Sequence, residues 1–278
     1  MKKVFLILIL CGCFMQATVQ SFGELPGKKQ NVPLICGHRG GFYDNFPEDS
    51  LSAFNFTLTN CAPSVVAVEL DIRKSSDGTL FIMHDRTVER TTNGHGDIAE
   101  LSDSYLTSLF LRKANGELTN ERIPTFNALL LYAQAKNIIL MLDIRADVWS
   151  QVMAMLVQKN LIMKSIVLTF NPSDAQKVRE LSKDITISYL IENEKEWEVI
   201  KGLAIPADHW IAYVTEKTSK DLLAKLKNSQ VRIMTDVSEH ARQQGQPLSA
   251  EAYLGLVKRK MVDVLITDFP VDVCKKLQ

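Results

Sequence analysis

Short apolar runs rich in β-branched residues recur along most of the chain, and turn or charged residues bound them. Runs of this kind are typical of buried β-strands. The predicted strands are Leu34–Cys36, Val65–Ile72, Leu80–Met83, Ile138–Leu142, Ser165–Thr169, Ile185–Ile191, Trp210–Val214, Val231–Met234 and Val264–Thr267.

Stretches with helical periodicity separate most of these runs. The clearest predicted helices are Phe126–Ala135, Val148–Gln158, Ser173–Leu181, Ser219–Lys227 and Ser249–Lys260. Alternating strands and helices indicate a parallel sheet covered by helices. Because no Gly/Ser-rich or Pro-rich linker interrupts the alternation, we expect one domain over residues 30–278. That length is close to the roughly 250 residues of a (β/α)8 barrel.

Nine predicted strands are one too many for that barrel, and a turn signal at residues 75–78 accounts for the surplus. It predicts that the third strand folds back antiparallel on the second. Counting outward from the turn brings His84 level with Leu70. His84 then lies beside Glu69 and Asp71, which point to the same face because they are two residues apart in a strand.

The acidic residues of these strands predict a metal site. Glu69 and Asp71 interrupt an apolar strand, and like charges on its interior side need a cation. Asp143 ends another strand that is otherwise apolar, and the active site of a barrel lies at the carboxyl ends of its strands. Oxygen ligands of this type select hard divalent ions, so we expect one divalent cation, Ca²⁺ or Mg²⁺.

Basic residues at the same ends of the strands predict an anion beside the metal. His38 and Arg39 directly follow the first strand, and imidazole and guanidinium groups suit phosphate. His38 and His84 together supply the parts for general acid and base catalysis. Arg145 follows Asp143 on the same side of the strand and offers a second phosphate contact.

Residues 47–50, Pro-Glu-Asp-Ser, precede an apolar stretch that begins at Leu51, as expected at the start of a helix. Capping of that helix is the favoured role of Asp49 and Ser50. For Glu48 the alternative is that its side chain turns into the site.

The N-terminus has the form of an export signal. Met1–Lys3 is positively charged and Val4–Leu10 is apolar, but polar residues begin at Gln16, too soon for a membrane-spanning helix of roughly 20 residues. We expect residues 1–21 to be a signal segment. The residues up to Cys13 also resemble a bacterial lipobox, so a membrane anchor on lipidated Cys13 stands beside simple secretion. Either outcome makes the protein periplasmic or envelope-associated in a bacterium.

The charge balance bears on nucleic-acid binding, and the cysteine count limits the disulfides that can form. The 278 residues include 32 Lys plus Arg and 32 Asp plus Glu, so no basic excess favours nucleic-acid binding. Beyond the signal remain Cys36, Cys61 and Cys274, an odd number that cannot all pair. We therefore expect that no disulfide framework holds the fold, and that Cys36 behaves as a small buried hydrophobe.

Several motifs in order along the chain resemble those of the glycerophosphodiester phosphodiesterases. They are Gly37-His38-Arg39-Gly40, Pro47-Glu48-Asp49-Ser50, Glu69-Leu70-Asp71, Asp77-Gly78, His84-Asp85, Arg90-Thr91-Thr92-Asn93-Gly94-His95-Gly96 and Ile266-Thr267-Asp268-Phe269-Pro270. The resemblance spans nearly the whole chain after the signal. It implies a TIM-type barrel, a divalent cation, and hydrolysis of glycerophosphodiesters to sn-glycerol 3-phosphate and an alcohol.

The resemblance also implies roles for individual residues. His38 and His84 match the two catalytic histidines, and Glu69 and Asp71 match the metal-binding pair. Arg39 matches the phosphate-binding arginine. Glu48 matches the acidic residue after the proline.

Three segments of the chain depart from the family pattern. Asp143 and Arg145 stand where Glu and Lys are usual, so the third metal ligand is shorter and the neighbouring cation differs. Asp49 stands where Asn is usual. Met234-Thr235-Asp236 replaces a usual Trp-Thr-Val.

Two alternatives stand beside this function. The same site would also suit a phospholipid, a lysophospholipid or a glycerophosphoinositol. A different class is a barrel that binds a phosphoester without cleaving it. Retention of two histidines with three acidic residues argues against the second, because binding alone needs no proton transfer.

Overall fold

A computed structural model describes residues 32–64, 66–136, 138–239 and 245–277. The predicted signal segment, residues 1–21, and Cys13 lie outside these residues. The strands are β1 (Leu34–Gly37), β2 (Val66–Lys74), β3 (Leu80–Ile82), β4 (Phe110–Arg112), β5 (Leu118–Arg122), β6 (Ile138–Ile144), β7 (Ser165–Thr169), β8 (Thr186–Leu190), β9 (Trp210–Tyr213), β10 (Arg232–Asp236) and β11 (Val264–Thr267).

Nine of these strands form one sheet in the order β1-β11-β10-β9-β8-β7-β6-β2-β3, and β1 also pairs with β2, so the sheet closes. Every pairing is parallel except that of β2 with β3. The closed part is therefore the expected eight-stranded barrel. The surplus strand is explained as predicted: Ile72 pairs with Ile82 and Lys74 with Leu80, the register that puts His84 level with Leu70.

Helices cover the outside of the barrel, apart from the second of them, a short helix that belongs to an insertion after β2. They are α1 (Leu51–Cys61), α2 (Asp103–Ser108), α3 (Phe126–Gln134), α4 (Trp149–Gln158), α5 (Pro172–Leu181), α6 (Glu194–Gly202), α7 (Lys220–Asn228), α8 (Ala250–Lys260) and α9 (Pro270–Leu277). Each barrel strand except β2 leads directly to one helix, and the chain after β2 first forms an insertion. Within the described part of the chain, no helix has the length and apolar character to cross a bilayer.

The barrel interior is filled by alternate residues of its strands. Leu34 and Cys36 of β1, Ala67 of β2, and Ile139 and Met141 of β6 belong to one buried cluster. Continuing the same alternation by two or four residues places Glu69, Asp71 and Asp143 on the interior side, at the carboxyl ends of β2 and β6. The strand pattern therefore directs these three acidic residues to the barrel mouth.

The insertion between β2 and α3 contains β3, α2 and the antiparallel hairpin β4–β5. Its own apolar centre includes Val88, Ile98 and Leu106, all buried. The hairpin was not predicted, because β4 has three residues and β5 is polar, with exposure alternating along its length. The polar α6 and the final helix α9 were not predicted either.

The sequence predicted that no disulfide framework holds the fold, but the described residues do contain one disulfide. Cys61 at the end of α1 and Cys274 in α9 form a disulfide, with their Cα atoms 5.6 Å apart. The odd number of cysteines excludes only that all three pair. Cys36 is the one left over and is fully buried, as expected, inside the barrel. The packing of α1 against α9 brings Cys61 and Cys274 together across 213 positions.

Replacing both Cys61 and Cys274 by Ser is expected to lower the free energy of unfolding by about 2–4 kcal/mol, because the bond closes a long loop in the unfolded chain. Denaturant unfolding of the wild type and the double variant measures this. Reductant should bring the wild type to the stability of the variant and leave the variant unchanged. Equal stabilities without reductant, or no cross-linked peptide in non-reducing mass spectrometry, would contradict the assignment.

Candidate active site

Three acidic side chains meet at the carboxyl ends of β2 and β6. Parallel pairing aligns Asp71 of β2 with Asp143 of β6, and Glu69 lies two residues before Asp71 on the same face. One carboxylate oxygen from each of the three lies within 4.8 Å of the others. Glu69 and Asp71 are buried, and 14% of the Asp143 side chain is exposed. The predicted ligand set is therefore assembled in the folded chain.

The cluster has the chemistry of a cation site. Burial and the neighbouring charge of Asp71 raise the pKa of Glu69, and the same two causes raise that of Asp143 to about 6. Asp71 Oδ2 is buried without a hydrogen-bond partner. A divalent cation would bind to Asp71 Oδ2 and compensate the negative charge of the three carboxylates. The three acidic side chains therefore fit such an ion.

Arg145 lies against the same acidic residues. Its Nε donates to Asp71 Oδ1 at 2.5 Å, and its Nη2 is 2.7 Å from Asp143 Oδ2. The side chain is thus at the barrel mouth, on the side predicted from its position two residues after Asp143. Its present contacts are with carboxylates, so contact with phosphate requires that a cation take over part of this pairing.

Arg39 closes another side of the cluster. Its backbone N–H donates to Glu69 Oε2 at 2.8 Å, and its Nε lies 3.7 Å from Asp71 Oδ2. Arg39 has φ +49°, a left-handed conformation unusual for a residue with a side chain. The contacts with the acidic residues hold it there, and the following glycines, Gly40 and Gly41, continue the turn at positive φ.

Both predicted histidines are held by an aspartate through the same ring nitrogen. His38 Nδ1 is 2.7 Å from Asp268 Oδ1, and His84 Nδ1 is 2.7 Å from Asp85 Oδ1. In each ring Nε2 is the nitrogen that these bonds leave for a substrate. The charge of Asp71 acts on His84, and that of His38 acts on Asp143, so both rings lie near the acidic cluster.

Burial lowers the pKa of the His84 imidazole, against the opposing effects of Asp71 and Asp85. The neutral ring is therefore favoured at neutral pH, and its unprotonated nitrogen is able to accept a proton. Arg73 fixes the position of this residue, since its Nε donates to the His84 carbonyl oxygen at 2.8 Å.

Glu48 turns toward the site, as the alternative interpretation of its position predicted. It accepts from Arg39 Nη1 at 3.1 Å and from both terminal nitrogens of Arg90 at 2.7 Å. Arg90 also binds Asp85, with Nε 2.6 Å from Oδ2. The network thus links Arg39 to the aspartate that holds His84. Although burial opposes it, these arginines lower the pKa of Glu48, which keeps the carboxylate ionised.

The two residues after Glu48 differ in role. Ser50 caps α1 as expected, accepting from the Ala53 N–H at 3.1 Å. Asp49 does not cap: it is 3% exposed, and neither carboxylate oxygen has a hydrogen-bond partner. Burial and the charge of Asp71 raise its pKa well above the ordinary value. A protonated Asp49 would resemble the amide that is usual at this position in the family pattern.

Sequence reasoning gave no role to Asp268, Asp85, Arg90 or Glu239. Asp268 follows directly after β11, and that position at a carboxyl strand end was an available signal. Glu239 had none, because its partners are distant in sequence. It is fully buried and accepts from the Asp268 N–H at 3.0 Å and from the Thr267 hydroxyl, and so fixes the segment that carries Asp268.

Met234 stands at a position where the family pattern usually has an aromatic residue. Its side chain is fully buried in the cluster that fills the barrel interior. It packs there with residues such as Ile211 and Ile266.

A cavity of about 410 Å³ opens beside the histidine at the end of β1. The barrel mouth contributes His38, Arg39, Phe42, Glu48 and Asp268 to its lining, and the insertion contributes residues that include Arg90, Arg112 and Lys113. This volume is in the range of small-molecule sites.

Solved structures share this architecture. A glycerophosphoryl diester phosphodiesterase from Parabacteroides distasonis superimposes with a TM-score of 0.77 at 26% identity, covering 88% of this chain and 86% of that one. A phosphodiesterase from Oleispira antarctica, solved with the product sn-glycerol-3-phosphate, gives a TM-score of 0.68 at 18% identity over 88% and 96% of the two chains. The second likeness concerns the fold alone.

Similarity in sequence leads to the same group of proteins. Human glycerophosphodiester phosphodiesterase 1 is 32% identical over 190 residues, which make up 62% of this chain and 55% of that protein. The rat protein of the same name is 32% identical over 170 residues, 57% of this chain and 49% of that protein. The chain thus spans about half the length of these curated relatives. The model of the glycerophosphoryl diester phosphodiesterase family matches residues 38–271, and the chain belongs to that family.

Proposed function

We propose that the protein hydrolyses glycerophosphodiesters to sn-glycerol 3-phosphate and an alcohol, and that it requires one divalent cation. The observation that carries this proposal is the joint placement of two aspartate-held imidazoles and a cluster of three carboxylates at one end of the barrel. Membership of the family supports it. The Oleispira antarctica protein, which shares the fold, was solved with sn-glycerol-3-phosphate as product.

Glu69, Asp71 and Asp143 would hold the cation. When bound, such an ion neutralises charge on the phosphodiester oxygens and fixes the position of the phosphorus. Arg39 lies at the edge of the cluster and at the lining of the cavity, where its guanidinium can bind a phosphate oxygen. Arg145, once free of Asp71 and Asp143, gives a second such contact.

The histidines move the protons. In the overall reaction an attacking hydroxyl oxygen forms a bond to phosphorus, and the bond from phosphorus to the alcohol oxygen breaks. One histidine accepts the proton of the attacking group at Nε2, and the other donates a proton to the departing alkoxide. Asp268 and Asp85 hold the Nδ1 atoms, orient the rings and stabilise each ring while it is protonated. The attacking hydroxyl belongs to water or to the substrate's own glycerol. In the second case a cyclic phosphate forms as the alcohol departs, and a subsequent attack by water, with the proton-transfer roles of the histidines reversed, opens it to sn-glycerol 3-phosphate.

Release of sn-glycerol 3-phosphate from glycerophosphocholine and glycerophosphoinositol tests the proposal. We expect release by the purified chain with Ca²⁺, Mg²⁺ or Mn²⁺, and its loss with excess chelator, because the buried carboxylates need a cation to accept a phosphodiester anion. Undiminished release in chelator would contradict the metal requirement. No release with any cation would overturn the proposal and favour a lipid diester or a barrel that binds without cleaving.

Each of His38→Ala and His84→Ala is expected to lower kcat/KM by roughly 10²-fold or more, because each removes one proton-transfer group. Thermal unfolding and circular dichroism should show that both variants remain folded. His95→Ala is the matched control, since His95 is an exposed loop histidine outside the site. A rate equal to that of the wild type in either site variant would contradict the proposed roles.

We propose further that the protein is exported, either as a soluble periplasmic chain or as a lipoprotein anchored through Cys13. The charged and apolar start of the sequence supports export. The Cys61–Cys274 disulfide supports it independently, because disulfides persist in oxidising compartments.

Fractionation of a bacterium that expresses the full chain tests this localisation, together with the intact mass of the product. Loss of the N-terminal segment with a periplasmic or membrane location is expected. Incorporation of labelled palmitate, lost in Cys13→Ala, would identify the lipoprotein. An uncleaved chain in the cytoplasm would contradict export.

A further inference from the structure

The cavity beside His38 joins two parts of the molecule. Its lining includes Arg39 and Glu48 from the catalytic end of the barrel and Arg112 and Lys113 from the insertion hairpin. A diester bound at the acidic cluster would therefore extend toward the hairpin. The residues of the hairpin that line the cavity are in a position to select what the phosphate is attached to.

The acidic groups that line this cavity already have cationic partners. Glu48 binds both Arg39 and Arg90, and the Asp268 carboxylate lies 2.7 Å from His38 Nδ1. A cationic substituent would have to compete with these partners. The lining offers no carboxylate, among the described residues, that is set aside for an ammonium group.

Arg112, unlike these acidic groups, has no partner of opposite charge among the described residues. Its Nε donates to the Thr92 carbonyl oxygen at 2.7 Å, and its Nη1 donates to the Gly116 carbonyl oxygen at 2.9 Å. In the part of the chain that the structure describes, no carboxylate pairs with it. Its full positive charge therefore remains uncompensated at the cavity, unlike that of Arg90, which binds Glu48 and Asp85.

The two carbonyl contacts also hold the guanidinium in place. A side chain fixed before binding loses little conformational entropy when a ligand arrives. Nη2 remains for a ligand, and a guanidinium edge matches the oxygens of a carboxylate or phosphate. Lys113 adds a second positive charge at the lining, and its ion-pair partner among the described residues is Glu117, whose side chain is 61% exposed.

We propose that Arg112 is a specificity-determining residue that binds an anionic group on the alcohol side of the diester, a carboxylate or a second phosphate. This inference rests on the proposed hydrolysis of glycerophosphodiesters. It narrows the substrate class to diesters whose alcohol carries a negative group, in preference to those that carry only an ammonium.

Two substrate pairs, in which the members differ by one anionic group, test the effect of that group on kcat/KM. Glycerophosphoserine differs from glycerophosphoethanolamine by one carboxylate, and glycerophosphoinositol 4-phosphate differs from glycerophosphoinositol by one phosphate. We expect the wild type to prefer the anionic member of each pair by about tenfold or more in kcat/KM, the usual worth of a charge-assisted hydrogen bond. Arg112→Gln should bring both ratios close to one, whereas Arg112→Lys should keep part of the preference.

Arg122→Gln is the matched control. It removes the same charge from the same hairpin, but Arg122 stacks on Phe110 and is absent from the cavity lining. Its two ratios should equal those of the wild type. Because each ratio is measured within one enzyme, it does not depend on the fraction of protein that is folded.

The outcomes are distinct. A wild-type ratio near one with clear release of sn-glycerol 3-phosphate overturns the role of Arg112 and leaves the proposed function standing. A parallel loss of activity on both members of a pair in Arg112→Gln, with the ratio unchanged, shows that Arg112 only supports the hairpin and also overturns the inference. No turnover of any diester overturns the proposed function and this inference with it.

Discussion

Mutual repulsion among Glu69, Asp71 and Asp143 is the constraint on which the rest of the site depends. Strand alternation and the pairing of β2 with β6 force these carboxylates together at a buried barrel mouth. Burial and like charge raise the pKa of Glu69 and Asp143, so the arrangement is costly without positive charge. Arg39 and Arg145 supply part of this positive charge, and Asp71 Oδ2, which has no hydrogen-bond partner, is available to a metal ion that would supply the rest.

Charge compensation continues outward from this centre. Arg39 binds Glu48, Glu48 binds Arg90, and Arg90 binds Asp85, which in turn holds His84. The other histidine is held from the opposite end of the chain, where Asp268 follows the last strand. Thus both imidazoles are fixed through Nδ1 by carboxylates that belong to wider networks. Such anchoring leaves Nε2 of each ring for a substrate and fixes the orientation of both rings.

Much of this centre followed from periodicity in the sequence. The two-residue repeat of a strand put Glu69 and Asp71 on one face, and the turn at residues 75–78 fixed the register that brings His84 beside them. These are local patterns. The resemblance to a known family added the roles, and the barrel closed as the alternation of strands and helices predicted. The disulfide and the contacts of Glu239 depend on neighbours distant in sequence, which no local pattern encodes. The hairpin that carries Arg112 was missed because β4 is short and β5 is polar.

We expect the acidic cluster to bind the cation, and the phosphodiester to bind next to that cation. Anomalous diffraction from crystals grown with Mn²⁺ and sn-glycerol 3-phosphate tests it most directly. We expect one Mn²⁺ peak with oxygen ligands from Glu69, Asp71 and Asp143, and the phosphate of the product between His38 and His84. Arg145 still paired with Asp71 and Asp143, with Mn²⁺ and the phosphate bound elsewhere, would contradict it.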